Sequence, residues 1–138
     1  RSMSERIDLQ SFIDDEGSLV IGEAGRHIPF PIKRFFAITN VSTGDQRGGH
    51  AHKELNQVLV CLSGLVQVTL NDGQRSWKET LEQPGIALHI KPMIWAEQVY
   101  ADSKTVLLVL CDEVYRESDY LRDFDEFCRA ATNSGEKK

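Results

Sequence analysis

Two histidines separated by one residue, His50 and His52, are the side chains of this sequence best suited to proton transfer. In an extended strand, residues two apart project to the same face, so we expect both imidazoles to enter one cavity. An imidazole has an unperturbed pKa of about 6.5, which lets it accept and return protons near neutral pH. The pair directly follows Arg47, Gly48 and Gly49. The spacing therefore predicts an acid/base site at His50 and His52.

The elements that must hold these histidines are predicted to be strands. Short apolar runs recur between turn residues, which is typical of an all-β sandwich or barrel. The predicted strands cover residues 18–21, 34–38, 58–62, 65–70, 86–90 and 105–110. A hairpin that returns through residues 74–80 is predicted from the turn chemistry of Asn71, Asp72 and Gly73.

One longer helix is predicted near the end of the chain. We expect it to begin with Ser118 as the N-cap and Asp119 at the positive end of the helix dipole. An apolar stripe at spacings of three and four is formed by Leu121, Phe124, Cys128 and Ala131. Residues 132–138 are polar, and we expect them to form a flexible tail.

Composition indicates one globular domain over residues 1–138, since 138 residues suit a single core. The net charge of -5 disfavours nucleic acid as a partner. No apolar run reaches the roughly 20 residues of a membrane span. The three cysteines, Cys61, Cys111 and Cys128, are expected to be free thiols, as in a cytoplasmic protein. Arg1 and Ser2, which precede Met3, are expected to be remnants of cloning.

The segment around the histidines resembles the first motif of the cupin superfamily. That motif is Gly, five residues, His-x-His, three or four residues, Glu, six residues and Gly. This chain is similar from Gly44 through His50 and His52 to Gly64, with Gln57 in the position of the Glu. The resemblance implies an all-β fold, namely a single cupin (double-stranded β-helix, jelly-roll) barrel, here with a C-terminal α-helix.

A second cupin motif is similar to residues 85–92, but Ala96 and Glu97 stand where its histidine is expected. Two of the four usual cupin metal ligands are therefore absent. A catalytic transition metal normally needs at least three protein ligands, and the amide of Gln57 is a poor substitute for a carboxylate. We expect no metal, although Glu97 can complete a two-His, one-carboxylate site and a metal-dependent cupin enzyme stays an alternative.

Further segments resemble the sugar 3,4-ketoisomerases, the WxcM-like cupins similar to dTDP-4-keto-6-deoxyglucose 3,4-ketoisomerase. They are residues 47–53, 57–64, 71–73, 92–95 and 119–127, and the similarity extends from about Ile7 to Ala131. The resemblance implies a dTDP-linked 4-keto-6-deoxyhexose as the substrate. One histidine would remove the C3 proton, and reprotonation of the enediolate at C4 would leave the ketone at C3. No cofactor is required.

The same resemblance suggests which side chains hold the substrate. A guanidinium can stabilise an oxyanion or a phosphate, and an aromatic ring can stack on a sugar or a base. The candidate substrate-binding residues are Arg34, Arg47, Gln57, Lys91, Trp95 and Glu97. For Arg47 an exposed loop charge, and for Trp95 a place in the core or a dimer interface, are the competing interpretations.

Two departures from the family pattern concern activity. Relatives often have one or two tyrosines in the strand before the His motif, where this chain has Phe35, Phe36 and Ala37, and commonly Trp-His-Glu around Ala96. If a tyrosine moves protons between the sugar oxygens in relatives, this chain needs another group or solvent. A non-catalytic sugar-nucleotide-binding cupin is therefore the second alternative. The many short strands, whose edges need cover, predict a homodimer.

Overall fold

The computed structural model describes the backbone of residues 4–136 and the side chains of residues 5–133. Two five-stranded antiparallel sheets pack face to face, in the strand orders β1-β9-β6-β11-β4 and β12-β5-β10-β7-β8, with β2 and β3 as a separate hairpin. The strands are β1 (Ser4–Asp8), β2 (Gln10–Asp14), β3 (Gly17–Ile21), β4 (Arg34–Ile38), β5 (Gln46–His52), β6 (Gln57–Ser63), β7 (Val66–Asn71), β8 (Ser76–Leu81), β9 (Ile86–Ile90), β10 (Trp95–Tyr100), β11 (Val106–Cys111) and β12 (Tyr120–Leu121). The predicted all-β barrel with a C-terminal helix is confirmed.

Alternation along the strands builds the core. In β7 every second residue, namely Val66, Val68 and Leu70, is fully buried between the sheets, while the residues between them are half-buried. In β11, Leu107 and Val109 enter the same core, whereas Leu108 and Leu110 pack into a second apolar cluster on the outside of the first sheet. The prediction that this strand is covered on both faces is therefore confirmed.

The predicted strand positions and the hairpin agree with the structure. Asn71 Oδ1 accepts a hydrogen bond of 2.7 Å from the backbone of Gly73, and Asp72 Oδ1 accepts bonds from Gln74 and Arg75. These bonds close the turn between β7 and β8. Cys61, Cys111 and Cys128 are free thiols, as predicted.

The prediction for the start of the helix is wrong. A 3-10 turn, Glu117–Asp119, and the short strand β12 occupy the segment where the first helical turn was expected. Helix α1 spans Phe124–Glu136 and so also includes part of the predicted tail. The apolar residues of the segment serve two elements, because Leu121 pairs with β5 while Phe127 belongs to helix α1 and packs against Trp95. This arrangement pins the C-terminal segment against the edge of the second sheet.

One prediction lies wholly outside the described residues, and another lies partly outside them. The proposed cloning remnant, Arg1 and Ser2, precedes them, and the end of the expected tail, residues 137 and 138, follows them. Within the described part of the chain, no helix is long and apolar enough to cross a membrane.

Candidate active site

His50 and His52 lie side by side on β5, which runs between β12 and β10 in the second sheet. Their ring centroids are 5.0 Å apart, and the rings are nearly perpendicular. His50 pairs with Ala96, a residue of the core between the sheets, so its side chain faces the barrel interior. His52 is 6% exposed. The structure thus brings both predicted histidines to one place on the inner face.

A β-bulge directly before the histidines changes which neighbours share their face. Ala96 pairs with His50 but the next residue of β10, Glu97, pairs with Gly48, so Gly49 has no partner in that strand. Because paired residues project to the same face, the extra residue turns Arg47 to the face of His50. Arg47 itself is exposed.

The opposite wall comes from the first sheet. Cys111 pairs with Arg34 on one side and with Gln57 on the other, which places these two candidates on the inner face of neighbouring strands. Gln57 Nε2 lies 4.0 Å from the Cys111 sulfur. Arg34 Nε donates a 3.2 Å hydrogen bond to the Glu113 carbonyl. The positive charge of Arg34 contributes to the lowering of the His52 pKa. Arg34 and Gln57 therefore face the histidines across the interior.

Tyr120 and Arg122 are two side chains of the site that sequence reasoning did not single out. Tyr120 pairs with His52 across β12 and β5, and its ring centroid lies 4.3 Å from that of His52 and 5.0 Å from that of His50. The Arg122 guanidinium lies 4.0 Å from the Tyr120 ring centroid, which is a cation–π distance. The segment 119–127 carried the family resemblance, but its assignment to a helix hid its place beside the histidines.

Glu117 fixes Arg122 in this position. Arg122 Nε and Nη2 donate hydrogen bonds of 2.8 and 2.9 Å to the two carboxylate oxygens of Glu117. The Tyr115 hydroxyl also donates to Glu117. The bonds to Arg122 and Tyr115 lower the pKa of Glu117 to about 2. Glu117 is therefore an anion that holds Arg122 over the ring of Tyr120.

Asp119 supports His52 from behind. His52 Nδ1 lies 3.3 Å from Asp119 Oδ2. The same carboxylate accepts hydrogen bonds from the backbone of Glu54 and Leu55, at 2.8 and 3.3 Å. Asp119 is thus held in place beside Nδ1 of His52 by backbone donors.

Burial keeps both histidines neutral at pH 7. Burial, followed by the charge of His50, lowers the pKa of His52 to about 4, although the Asp119 carboxylate acts in the opposite direction. Burial is also the main cause that lowers the pKa of His50, with the Arg122 cation second. Nε2 of His52 is buried with no hydrogen-bond partner among the described residues. An unpaired buried nitrogen is costly, which is typical of an atom that serves a ligand.

The pH dependence of activity follows from these shifts. A histidine acts as a base only when it is neutral. Because the pKa of His52 is about 4, His52 stays neutral as the pH falls from 7 past 6.5. We expect kcat/KM to stay level between pH 7 and about 5.5 and to fall only as the pH approaches 4. Initial rates measured over this range test the expectation, with unfolding monitored by fluorescence at each pH. An acid limb centred near 6.5 in folded protein would contradict it.

Three of the predicted substrate-binding residues lie away from the histidines. Trp95 and Glu97 alternate with Ala96, so they project from the outer face of the second sheet. There Trp95 packs against Phe127 of helix α1 and donates a 3.0 Å hydrogen bond from Nε1 to Glu97. The Nζ atom of Lys91 lies 3.3 Å from Oε1 of Glu5, a residue of strand β1. The structure therefore places Trp95 and Glu97 on the sheet face opposite to His50, and Lys91 beside Glu5.

The same geometry bears on the metal alternative. Glu97, the carboxylate considered as a third ligand, projects from the sheet face opposite to His50. Among the side chains that the structure describes, those of residues 5–133, no cluster of three or more His, Cys, Asp or Glu is arranged to hold a metal ion. The donor set at the histidines consequently does not fit a catalytic transition metal.

Comparisons with known proteins identify the family to which the chain belongs. A family described as "FdtA: WxcM-like, C-terminal" matches residues 2–132. The TDP-4-oxo-6-deoxy-alpha-D-glucose-3,4-oxoisomerase of Aneurinibacillus thermoaerophilus is 42% identical over 121 residues, which are 88% of this chain and 87% of that protein. The sugar 3,4-ketoisomerase QdtA of Thermoanaerobacterium thermosaccharolyticum, solved in complex with TDP, has a TM-score of 0.92 at 36% identity and 96% coverage of both chains. A histidine-to-asparagine mutant of QdtA, solved with TDP-4-keto-6-deoxyglucose, has the same TM-score and identity, with 95% of both chains covered.

Proposed function

Because the chain belongs to the FdtA family (WxcM-like, C-terminal), we propose that it is a sugar-nucleotide 3,4-ketoisomerase that moves the keto group of a dTDP-4-keto-6-deoxyhexose from C4 to C3. The observation that carries the proposal is the pair His50 and His52, adjacent on the inner face and both neutral at pH 7, with His52 buried and His50 half-buried. The relatives named above act on or bind TDP-linked keto-sugars of this kind. The reaction changes no net oxidation state, so it requires no cofactor.

His52 is the proposed base. The C4 carbonyl acidifies the neighbouring C3 hydrogen, and Nε2 of His52 removes it as a proton. Asp119 behind Nδ1 stabilises the imidazolium that forms, in the way a carboxylate orients a catalytic histidine. The resulting enediolate receives a proton at C4. His50, beside His52, is the second acid/base group and contacts the sugar from the same wall.

Cations around the inner face are the proposed anchors for the anionic parts of the substrate. Arg34 lies on the wall opposite His52, and Arg47 is exposed on the same sheet face as His50. A guanidinium can bind an oxyanion or a phosphate with two donors at once. Gln57, whose amide faces the same interior, is the proposed hydrogen-bond donor to a sugar oxygen. Lys91, Trp95 and Glu97 are left out of this proposal because of their positions.

A non-catalytic sugar-nucleotide-binding cupin is the second candidate, since Phe36 occupies the inner face of β4, where relatives often have tyrosine. A binding protein would keep Arg34 and Arg47 but would not need a buried histidine with an unpaired Nε2. That nitrogen favours the isomerase.

Incubation with dTDP-4-keto-6-deoxyglucose in deuterium oxide tests the proposal. We expect deuterium in the sugar ring and formation of the 3-keto isomer, both followed by NMR, at the same rate with and without EDTA. Binding of dTDP without exchange or product would establish the binding protein instead. Activity that is lost on chelation and restored by Fe, Mn or Zn would establish the metal-dependent alternative.

Assembly and location stay predictions. Phe12, Ile13 and Leu19 expose apolar surface on the β2–β3 hairpin, which supports a homodimer because a partner would cover it. Light scattering should give a particle of about twice the 15.6 kDa of one chain. A mass of one chain at micromolar concentrations would contradict the dimer. A cytoplasmic location is proposed from the sequence.

A further inference from the structure

Moving a keto group from C4 to C3 requires a second proton transfer besides the one between the carbons. The substrate carries a hydroxyl on C3 and a carbonyl oxygen on C4, and the product carries them in the opposite order. A proton must therefore leave the C3 oxygen, and one must reach the C4 oxygen. We propose that the hydroxyl of Tyr120 performs this transfer and contacts both oxygens. The inference rests on the proposed function and adds a catalytic residue to it.

Tyr120 lies at the position where such a group is needed. It pairs with His52 across the two strands, and its ring contacts those of His50 and His52 at 5.0 and 4.3 Å between centroids. A substrate carbon that reaches Nε2 of His52 consequently places its vicinal oxygens near this ring. The Tyr120 side chain is half-buried, and its contacts with His50, His52, Tyr115 and Arg122 are made by the faces and edges of the ring, not by the hydroxyl. The hydroxyl is therefore available to a ligand.

The ring is also held in place. The Arg122 guanidinium lies 4.0 Å from the Tyr120 ring centroid and is itself fixed by two hydrogen bonds to Glu117. The ring of Tyr115 packs at 5.7 Å from that of Tyr120. A proton shuttle between two fixed oxygens requires such an orientation, because a small displacement breaks one of its two hydrogen bonds.

The other polar side chains of the pocket are less suited to the transfer. Arg34 and Arg122 stay protonated in proteins and so cannot accept a proton. The amide of Gln57 neither gains nor loses a proton in this pH range. The Tyr115 hydroxyl is engaged by Glu117. Phe36, on the inner face of β4, has no hydroxyl. His50 is the other acid/base group beside His52, but the transfer between two oxygens suits the hydroxyl of Tyr120, since one oxygen atom can both give and take the proton.

The transfer balances without any further reactant. His52 takes the C3 proton, the C3–H electron pair forms the C3=C4 bond, and the carbonyl π pair moves to the C4 oxygen. Tyr120 gives its proton to that oxygen, which produces an enediol and a phenolate. The phenolate then takes the proton of the C3 hydroxyl, whose electron pair forms the C3=O bond. The C3=C4 pair takes a proton at C4 from the imidazolium, which restores both residues.

The substitution Tyr120→Phe tests the proposal, because phenylalanine keeps the ring contacts and removes only the hydroxyl. Without the transfer, the enediolate still forms but returns its carbon proton to C3. We expect product formation to fall by about 10²-fold or more. We expect the ratio of C3 deuterium exchange in recovered substrate to product formed to rise at least about tenfold. Both rates come from the same NMR experiment in deuterium oxide.

Tyr115→Phe is the matched control, since its hydroxyl is bound to Glu117 outside the proposed transfer, and it should change the ratio little. Unchanged turnover in Tyr120→Phe would overturn the proposal. So would an equal fall in exchange and product, because that indicates a role in binding or packing alone. Wild-type protein with neither exchange nor product would instead overturn the proposed function, so the two failures are distinguishable.

Discussion

Replacing His52 with asparagine is expected to lower the rate of 3,4-isomerisation by about 10²- to 10⁴-fold, the usual contribution of a general base. Asparagine is a smaller polar side chain than histidine, and its amide cannot accept a proton at neutral pH. Because His52 is the proposed base for the first step, C3 deuterium exchange should be lost together with product formation. Affinity for dTDP should change little, since the substitution adds and removes no charge at pH 7.

His50→Asn is the matched control on the same strand. The ring centroids of His50 and His52 are 5.0 Å apart, and the Asp119 carboxylate lies 3.3 Å from Nδ1 of His52. We expect His50→Asn to slow product formation and to retain part of the C3 exchange. Kinetics, exchange and dTDP binding are measured side by side for both variants. If both variants keep wild-type turnover, the acid/base assignment is wrong and the binding protein takes its place.

Much of the barrel could be predicted from local pattern. Strand periodicity located β7 and β11, and the Asn71, Asp72 and Gly73 segment located the hairpin between β7 and β8. The adjacency of His50 and His52 also follows from the two-residue repeat of a strand. Such features depend on neighbours in the sequence, so sequence reasoning reaches them.

The rest of the site depends on pairing between distant segments. Tyr120 lies beside His52 because two residues of β12 extend the sheet at its edge, and an apolar repeat shared with helix α1 masked this short strand. Trp95 lies on the outer face because β10 pairs with β5 in a register that the sequence does not reveal. A one-residue change in register moves a side chain to the opposite face, so local pattern could not assign Trp95.

The β-bulge before the histidines leads to the second prediction. Gly48 and Gly49 both have positive φ angles, 84° and 79°, which side chains other than glycine adopt only with strain. A Cβ on Gly48 would lie 2.9 Å from the carbonyl oxygen of Ala96, a backbone atom that cannot move without shifting β10. A Cβ on Gly49 would meet nothing within 4 Å. An alanine at either position would therefore carry the same kind of backbone strain, but only an alanine at position 48 would also clash with a neighbouring atom.

Gly48→Ala is therefore expected to destabilise the fold by about 2–3 kcal/mol or more, and Gly49→Ala by about 1–2 kcal/mol, the usual range for a left-handed alanine. The comparison is made by thermal unfolding of the two variants under one set of conditions. Gly48→Ala should also lose isomerase activity at temperatures where it remains folded. The reason is that the bulge sets Arg47 and His50 on one face, and relief of the contact with Ala96 moves the strand that carries both. Equal stability of the two variants would contradict the close approach of Gly48 to Ala96. A folded, fully active Gly48→Ala protein would show that the position of the histidines does not depend on this bulge.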